Sequence, residues 1–378
     1  MGKNTWRSIL TLAACLTVFS SIGAPQDRCS TFLLKNGQTL LVGHNLDERA
    51  HIPGLVFINK RGVAKTAVSW ESLISGKSDA TPPFSWTSRY ASITFNPYGR
   101  EFPDDGMNEA GLFIGEMSLV GSKFAVDPEK PRIFMCLWMQ YILDTCQSVG
   151  QVIESASAFT IDGWGWHFFA ADRNGHSASL EFLDGKLVIH SGDSMPVPVL
   201  CNTTYAQEVQ DLDAQRKKIA QDPAFLEGKG IPRFAQAAVM IERFADSPKP
   251  AVDYAFHILE ALERGGTQWS FVCDLKKMRA WFKTAGSAKI KQVGINDFRL
   301  GCNEPALWLD IHADLAGDVS GRFQTFSSEA NRKLAEQALE AILKISPPFE
   351  KLVALRGGTM GGLLERFAAY PEKTRCEK

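Results

Sequence analysis

The dipeptide Asn36-Gly37 constrains this chain more than any other feature. It is the preferred filling of a two-residue type I′ turn, whose central positions both need positive φ. It lies between two runs with strand character, Ser30-Thr31-Phe32-Leu33-Leu34-Lys35 and Gln38-Thr39-Leu40-Leu41-Val42-Gly43. The pattern predicts an antiparallel hairpin. With a two-residue loop, Lys35 faces Gln38, and counting outward sets Cys29 opposite His44, with about 5 Å between their Cβ atoms. The hairpin would thus bring Gly43-His44-Asn45-Leu46-Asp47 to the neighbourhood of Cys29.

A second β region follows the same grammar. His167 to Asp172, Ser177 to Phe182 and Leu187 to His190 are separated by the turns Asn174-Gly175 and Asp184-Gly185, which predicts a meander. Helical periodicity runs over Arg132 to Leu143, Phe234 to Phe244, Val252 to Glu263 and Ser328 to Ile345. Strands and helices come in blocks, which argues for an α+β fold of stacked antiparallel sheet and helix layers and against a strictly alternating parallel sheet. No long linker interrupts the chain beyond Cys29, although Ser247-Pro248-Lys249-Pro250 and Ser346-Pro347-Pro348 mark loops. The expectation is one domain over residues 29–378. Its tail from about residue 324 is expected to be helical, with a charged end that frays.

Of 378 residues, 45% are hydrophobic and 22% charged, which is enough apolar material for a large core. A formal net charge of −1 supplies no field for nucleic acid or an anionic surface. No phosphate-binding glycine loop or fixed-period repeat is present, which argues against nucleotide enzymes and solenoids. At the N-terminus, Lys3 and Arg7 precede an apolar stretch from Ile9 to Phe19 and then Ser20, Ser21, Gly23 and Ala24. This pattern reads as a secretory signal peptide with a short pro-segment over residues 1–28. It is short of the roughly 20 residues that span a bilayer, so no stable membrane span is expected. Leu12-Ala13-Ala14-Cys15 has the form of a lipoprotein box, and a lipid anchor on Cys15 is the competing reading. The expected location is therefore outside the cytoplasm, periplasmic or secreted. The eight cysteines lack metal-site spacing, so no metal is expected; Cys136, Cys146, Cys201, Cys273, Cys302 and Cys376 could pair in an oxidising compartment, with the pairing unreadable.

Cys29 opens the first strand just after the signal region. Position alone fits a structural thiol as well as a nucleophile. A cut before Cys29 changes the chemistry, because a free α-amino group titrates near roughly 7.7 to 8.0. That amine could take the proton of its own thiol and later pass one to a leaving amine. In an uncut chain the same nitrogen is an amide and cannot do so.

These residues carry a resemblance. Cys29-Ser30-Thr31-Phe32 with Gly43-His44-Asn45-Leu46-Asp47 resembles the start of the choloylglycine hydrolase and penicillin V acylase family, linear amide hydrolases of the N-terminal-nucleophile superfamily. The likeness continues, in order, through Asp105-Gly106-Met107-Asn108-Glu109-Ala110-Gly111-Leu112, Trp166-His167-Phe168, Leu200-Cys201-Asn202-Thr203, Pro232-Arg233-Phe234 and Thr267-Gln268-Trp269. It implies a four-layer αββα sandwich of two antiparallel sheets between helices. It also implies roles: Cys29 as nucleophile, Asp47 as the carboxylate that orients the new α-amine, Asn202 as the oxyanion donor, and Arg233 as a buried arginine beside the nucleophile. The substrate would be a small-molecule N-acyl amide, and no cofactor is implied. Tetramers are common among such relatives, which leaves a homo-oligomer open.

Two positions depart from the family pattern. His44 stands where much of the family has arginine, and it would either replace that arginine, making activity pH-dependent, or simply pack. Ser118 stands where bile-salt and penicillin enzymes have Asn or Tyr, so it is a candidate substrate-binding residue and leaves the substrate open. Both departures support an alternative, a catalytically silent exported ligand-binding protein on the same fold. The Asp105 to Glu109 run reads as a structural turn despite its two acids. Trp164 and Trp166 read as core or as an acyl-pocket wall.

Overall fold

A computed structural model of the chain describes residues 29–222, 226 and 230–376. The expected signal peptide, pro-segment and Cys15 lipid site lie outside the described residues. The first hairpin pairs Ser30–Asn36 with Thr39–Asp47. Its ladder runs from Asn36 opposite Thr39 to Ser30 opposite Asn45. The turn is therefore centred on Gly37-Gln38, one residue later than expected. Asn36 stays in the strand, and Gly37 takes the left-handed position at φ 56°, which a glycine adopts without steric cost. The shift moves every cross-strand partner by two. Thr31 faces His44, and Cys29 counts out level with Leu46.

The hairpin sits inside a seven-stranded sheet. Val199–Leu200 flanks it on one side, and Thr267–Asp274, Arg279–Thr284, Ser287–Gly294 and Gly317–Asp318 follow on the other. A nine-stranded sheet lies against it. Its order is Lys186–Ser191, Ser177–Leu183, Trp166–Asp172, Leu112–Ser118, Asp105–Asn108, Ser92–Asn96, Leu55–Asn59, Leu307–Asp310 and Gln324–Thr325. Helices Arg233–Glu242 and Ala251–Leu262 cover the outer face of the first sheet, and Met135–Thr145 and Val149–Ala158 that of the second. The expected αββα layering is what the chain adopts.

Period-two alternation explains the layers. Phe113 and Met117 point between the sheets with Phe32, Phe95 and Phe271, whereas Leu112 and Ile114 point to the helix side with Trp138 and Phe168. Phe95 and Phe271, one from each sheet, stack at 4.5 Å. Gly43 lies opposite Phe32, and a Cβ there would come within 2.3 Å of the Phe32 ring. Gly43→Ala is therefore expected to destabilise the fold by about 1–3 kcal/mol through overpacking, read as a lower urea midpoint; an unchanged midpoint would show that Phe32 yields freely.

Some elements differ from expectation. The helix expected at Arg132 begins at Met135, because Arg132–Phe134 pairs with Thr160–Asp162 as a short parallel ladder. The helix Tyr205–Gln221 was not expected. The tail holds helices Ser328–Ile345, Phe349–Leu355 and Met360–Ala369. Its charged end does not fray through Cys376: Arg375–Cys376 pairs with Val63 and Ala64, and Cys376 is disulfide-bonded to Cys302. Cys136, Cys146, Cys201 and Cys273 are buried and form no disulfide among the described residues. Cys302→Ser with Cys376→Ser is expected to lower stability by about 2–4 kcal/mol, since the bridge closes a long loop in the unfolded chain; matching denaturation curves for the variant and the oxidised parent would refute this. No helix of the described residues is long and apolar enough to cross a membrane.

Candidate active site

Four residues far apart in sequence meet at the open end of the first hairpin. Cys29 is buried, with 2% exposure, and has φ 61°. A left-handed non-glycine residue stores about 1–3 kcal/mol of strain and needs its surroundings to hold it. Its Sγ lies 4.0 Å from the carbonyl oxygen of Asp47, the last residue of the second strand.

The Asp47 carboxylate is surrounded by donors. The backbone N–H of Cys29 donates to it. Thr267 Oγ1 donates to Oδ1 at 2.5 Å, and Arg233 Nη1 donates to Oδ2 at 2.8 Å. Burial raises the Asp47 pKa, and Arg233, Thr267 and the Cys29 N–H pull against that rise.

Arg233 is the first residue of its helix, just after Pro232, and is itself buried. Its second nitrogen, Nη2, donates to Asn202 Oδ1 at 2.6 Å. Asn202 Nδ2 donates in turn to the Ser118 carbonyl at 2.7 Å. These two contacts fix the amide's orientation and leave the second Nδ2 hydrogen for another acceptor. The turn carrying Asn202 is held from below: His167 Nε2 donates to the Cys201 carbonyl at 2.6 Å, and its Nδ1 lies 3.1 Å from Glu181 Oε1. Glu181 Oε1 also accepts the Tyr205 N–H at 2.9 Å. One guanidinium thus ties the carboxylate beside Cys29 to the amide on the opposite wall, as a planar fork can and a single ammonium cannot.

His44 lies elsewhere. Its Nδ1 is 2.6 Å from Thr31 Oγ1, its ring stacks on Phe271 at 5.2 Å, and its Nε2 is 3.8 Å from Asp105 Oδ2. Burial lowers its pKa to about 3, so the ring is neutral at physiological pH. Of the two readings open for it, packing between the sheets fits, and titration near neutral pH does not. Ser118 is at the site through its backbone carbonyl, opposite Trp166 on the next strand. Trp164 and Trp166 meet edge to face at 5.4 Å, the first half-buried and the second buried.

The run from Asp105 to Glu109 is structural, but not the turn expected: Asp105–Asn108 is a buried strand, and the turn follows at Glu109-Ala110. Asn108 Nδ2 donates to the carbonyls of Leu143 and Cys146, and its Oδ1 accepts from Ala110 and Leu112. Glu109 accepts the Ala91 N–H and pairs with Arg61. Sequence reading missed a pair of acids beside it. Asp104 and Glu116 are both buried, and Glu116 acts on the Cys29 thiol, whose pKa is pushed well up by burial first, then by Glu116 and Asp47. The available signal was a lone charge in the apolar run Leu112-Phe113-Ile114-Gly115-Glu116-Met117.

Burial, reinforced by Glu48, raises Asp104 from 3.8 to about 8. The native state therefore holds a proton there that the unfolded chain releases, so this contribution to stability is fully present below the unfolded value and is lost as pH rises to about 8. Asp104→Asn is expected to flatten the fall in melting temperature over that range. An unchanged slope would mean that Asp104 does not hold the proton.

Comparison with known proteins fits this geometry. The family model "linear amide C-N hydrolases, choloylglycine hydrolase family" matches residues 29–243. The chain is 24% identical over 297 residues to a penicillin V acylase of Pectobacterium atrosepticum, covering 63% of this chain and 76% of the relative. In three dimensions it resembles a penicillin V acylase from Agrobacterium tumefaciens, with TM-score 0.66, 20% identity, and coverage of 79% of this chain and 98% of the other. It also resembles a mutant form of a conjugated bile acid hydrolase from Clostridium perfringens, with TM-score 0.60, 18% identity, and coverage of 76% and 98%. The fold is that of the N-terminal-nucleophile hydrolases. The chain belongs to the choloylglycine hydrolase family, hydrolases that act on carbon-nitrogen bonds in linear amides.

Proposed function

We propose that this chain is exported, cut before Cys29, and then hydrolyses the amide bond of an N-acyl substrate through a thioester on Cys29. The observation that carries the reading is the Asp47–Arg233–Asn202 bridge, with Asp47 already accepting the nitrogen that a cut would turn into the α-amine. After the cut, that amine takes the Cys29 proton and the thiolate attacks the substrate carbonyl. The developing oxyanion is met by the second Nδ2 hydrogen of Asn202 and a nearby backbone N–H, the former contributing about 3 kcal/mol. The ammonium then protonates the leaving amine, the C–N bond breaks, and water hydrolyses the thioester. Asp47 holds the amine in place, and Arg233 holds Asp47 and Asn202. The sequence of steps calls on no cofactor.

The Cys302–Cys376 disulfide supports an oxidising compartment and so the export reading. Penicillin V and conjugated bile acids, the substrates in the relatives' names, are the first amides to try. The test is the intact mass and N-terminal sequence of the mature protein, followed by exposure to a thiol-directed acyl probe. A chain starting at Cys29 that labels there is the expected result. A mature chain starting upstream, with no labelling, would remove the amidase reading and leave the silent binding protein.

A further inference from the structure

Asn202, the proposed oxyanion donor, is set in place by two residues of the other sheet. Leu200 lies opposite Thr31, and counting outward brings Asn202 level with Cys29. The strand Val199–Leu200 ends just before it, and the helix Tyr205–Gln221 begins three residues after it. A turn between a strand and a helix is loose unless its ends are tied. The usual tie is a side-chain cap on the first helical N–H groups, and Thr204, at the cap position, makes none.

The ties come from His167 and Glu181. His167 alternates with Trp166 and Phe168, which pack on the helix side, so it points between the sheets. Its neighbour on the next strand, Met117, accepts a hydrogen bond from Thr31 Oγ1 at 3.2 Å, two residues on from Cys29 and on the same face. On its other side His167 is level with Glu181, because Phe168 pairs with Leu180. Both side chains are fully buried. His167 Nε2 donates to the Cys201 carbonyl at 2.6 Å, and Glu181 Oε1 accepts the Tyr205 N–H at 2.9 Å. These contacts hold the turn on either side of Asn202, and the acid stands at the helix N-terminus, where negative charge is favoured. A carbonyl can only accept, which fixes one ring proton on Nε2. Nδ1 and Glu181 Oε1, 3.1 Å apart, share a second proton, so ring and acid brace each other.

We propose that His167 and Glu181 are positioning residues for amide cleavage: they hold the turn from Cys201 to Tyr205 so that the second Nδ2 hydrogen of Asn202 stays aimed at the substrate carbonyl oxygen. The role rests on the amidase reading of Cys29 and Asn202. Arg233 and the Ser118 carbonyl grip the Asn202 side chain, and the His167–Glu181 pair grips the backbone that carries it. A backbone shift takes the side chain with it, and a misplacement of about 1 Å costs about a hundredfold in rate.

The test is steady-state kinetics of the mature protein on penicillin V and on a conjugated bile acid. His167→Ala is expected to lower kcat about ten- to a hundredfold and to leave KM within about twofold of the parent. His167→Gln, whose amide can still donate to the Cys201 carbonyl, should recover part of that loss. Glu181→Gln keeps an acceptor for the Tyr205 N–H but gives up the shared proton, and should lose less than His167→Ala. The deciding measurement is a double-mutant cycle with Asn202→Ala. If His167 acts through Asn202, its replacement costs nothing further once Asn202 is gone. Should circular dichroism show His167→Ala unfolded, the cycle is run with His167→Gln. If neither amide is turned over but Cys29 is labelled by the acyl probe, the labelling rate takes the place of kcat. Losses that multiply in the double variant, or a parental rate in the His167 variant, would overturn the role and leave the amidase standing. A parent that neither turns over an amide nor labels at Cys29 removes the amidase reading and this role with it.

Discussion

Mature Cys29→Ala protein is expected to lose turnover of any N-acyl amide by about a million-fold, the scale seen when a nucleophile is removed from a preorganised site. The reason is local. In the proposed mechanism alanine keeps the α-amine on Asp47 and leaves the Arg233 bridge intact, so binding survives while the atom proposed to form the thioester is gone. The melting temperature should move little, because the substitution removes one sulfur whose closest polar contact is a long one of 4.0 Å. The measurement is kcat/KM beside a thermal melt; turnover within about a hundredfold of the parent would show that another group does the chemistry. The precursor of the same variant gives a second reading. If it accumulates uncut, the cut is made by Cys29 itself; if it matures normally, another protease makes it.

Arg233→Met should damage both stability and rate. The guanidinium is buried and makes the only described link between Asp47 and Asn202. Removing it leaves a buried carboxylate without its cation, at a cost of about 3–5 kcal/mol. The sign with pH follows. Arg233 pulls the Asp47 pKa down against burial, so without it that pKa rises further, and the variant should lose stability as pH climbs from the unfolded carboxylate value. An Asn202 free to turn would weaken the proposed oxyanion contact, lowering kcat by about a hundred- to a thousandfold. Arg233→Lys should recover the Asp47 contact and part of the stability without restoring kcat, because one ammonium does not reach both partners in the fork geometry. Parental stability and kcat in Arg233→Met would mean that the bridge is incidental. A double-mutant cycle with Asn202→Ala separates the two effects.

Much of the site was legible because local patterns bracket it. The Asn36-Gly37 turn announced the hairpin that carries Cys29 and Asp47, and ordered family segments supplied Asn202 and Arg233. The turn's register was not legible, since either Asn36 or Gly37 can take the first loop position and only the pairing decides. The helix Tyr205–Gln221 escaped because its buried residues, Tyr205, Leu212 and Ile219, recur every seven positions, too sparse a stripe among charges. Asp104 and Glu116 hid for a different reason. They are 12 residues apart and become opposed only through strand pairing, a long-range fact. Cys302 and Cys376 likewise come together only in the folded chain.

If the chain is cut before Cys29 as proposed, the left-handed backbone there makes that step a ratchet. The φ torsion exists only while a residue precedes Cys29; once the bond to Arg28 is gone, the nitrogen is a freely rotating ammonium and the stored strain, about 1–3 kcal/mol, is gone with it. Resealing the chain would have to wind that torsion back to 61° inside a buried, donor-filled corner. On that reading the fold works against the uncut chain and in favour of the cut one, and a leader peptide supplied in trans is expected not to be rejoined.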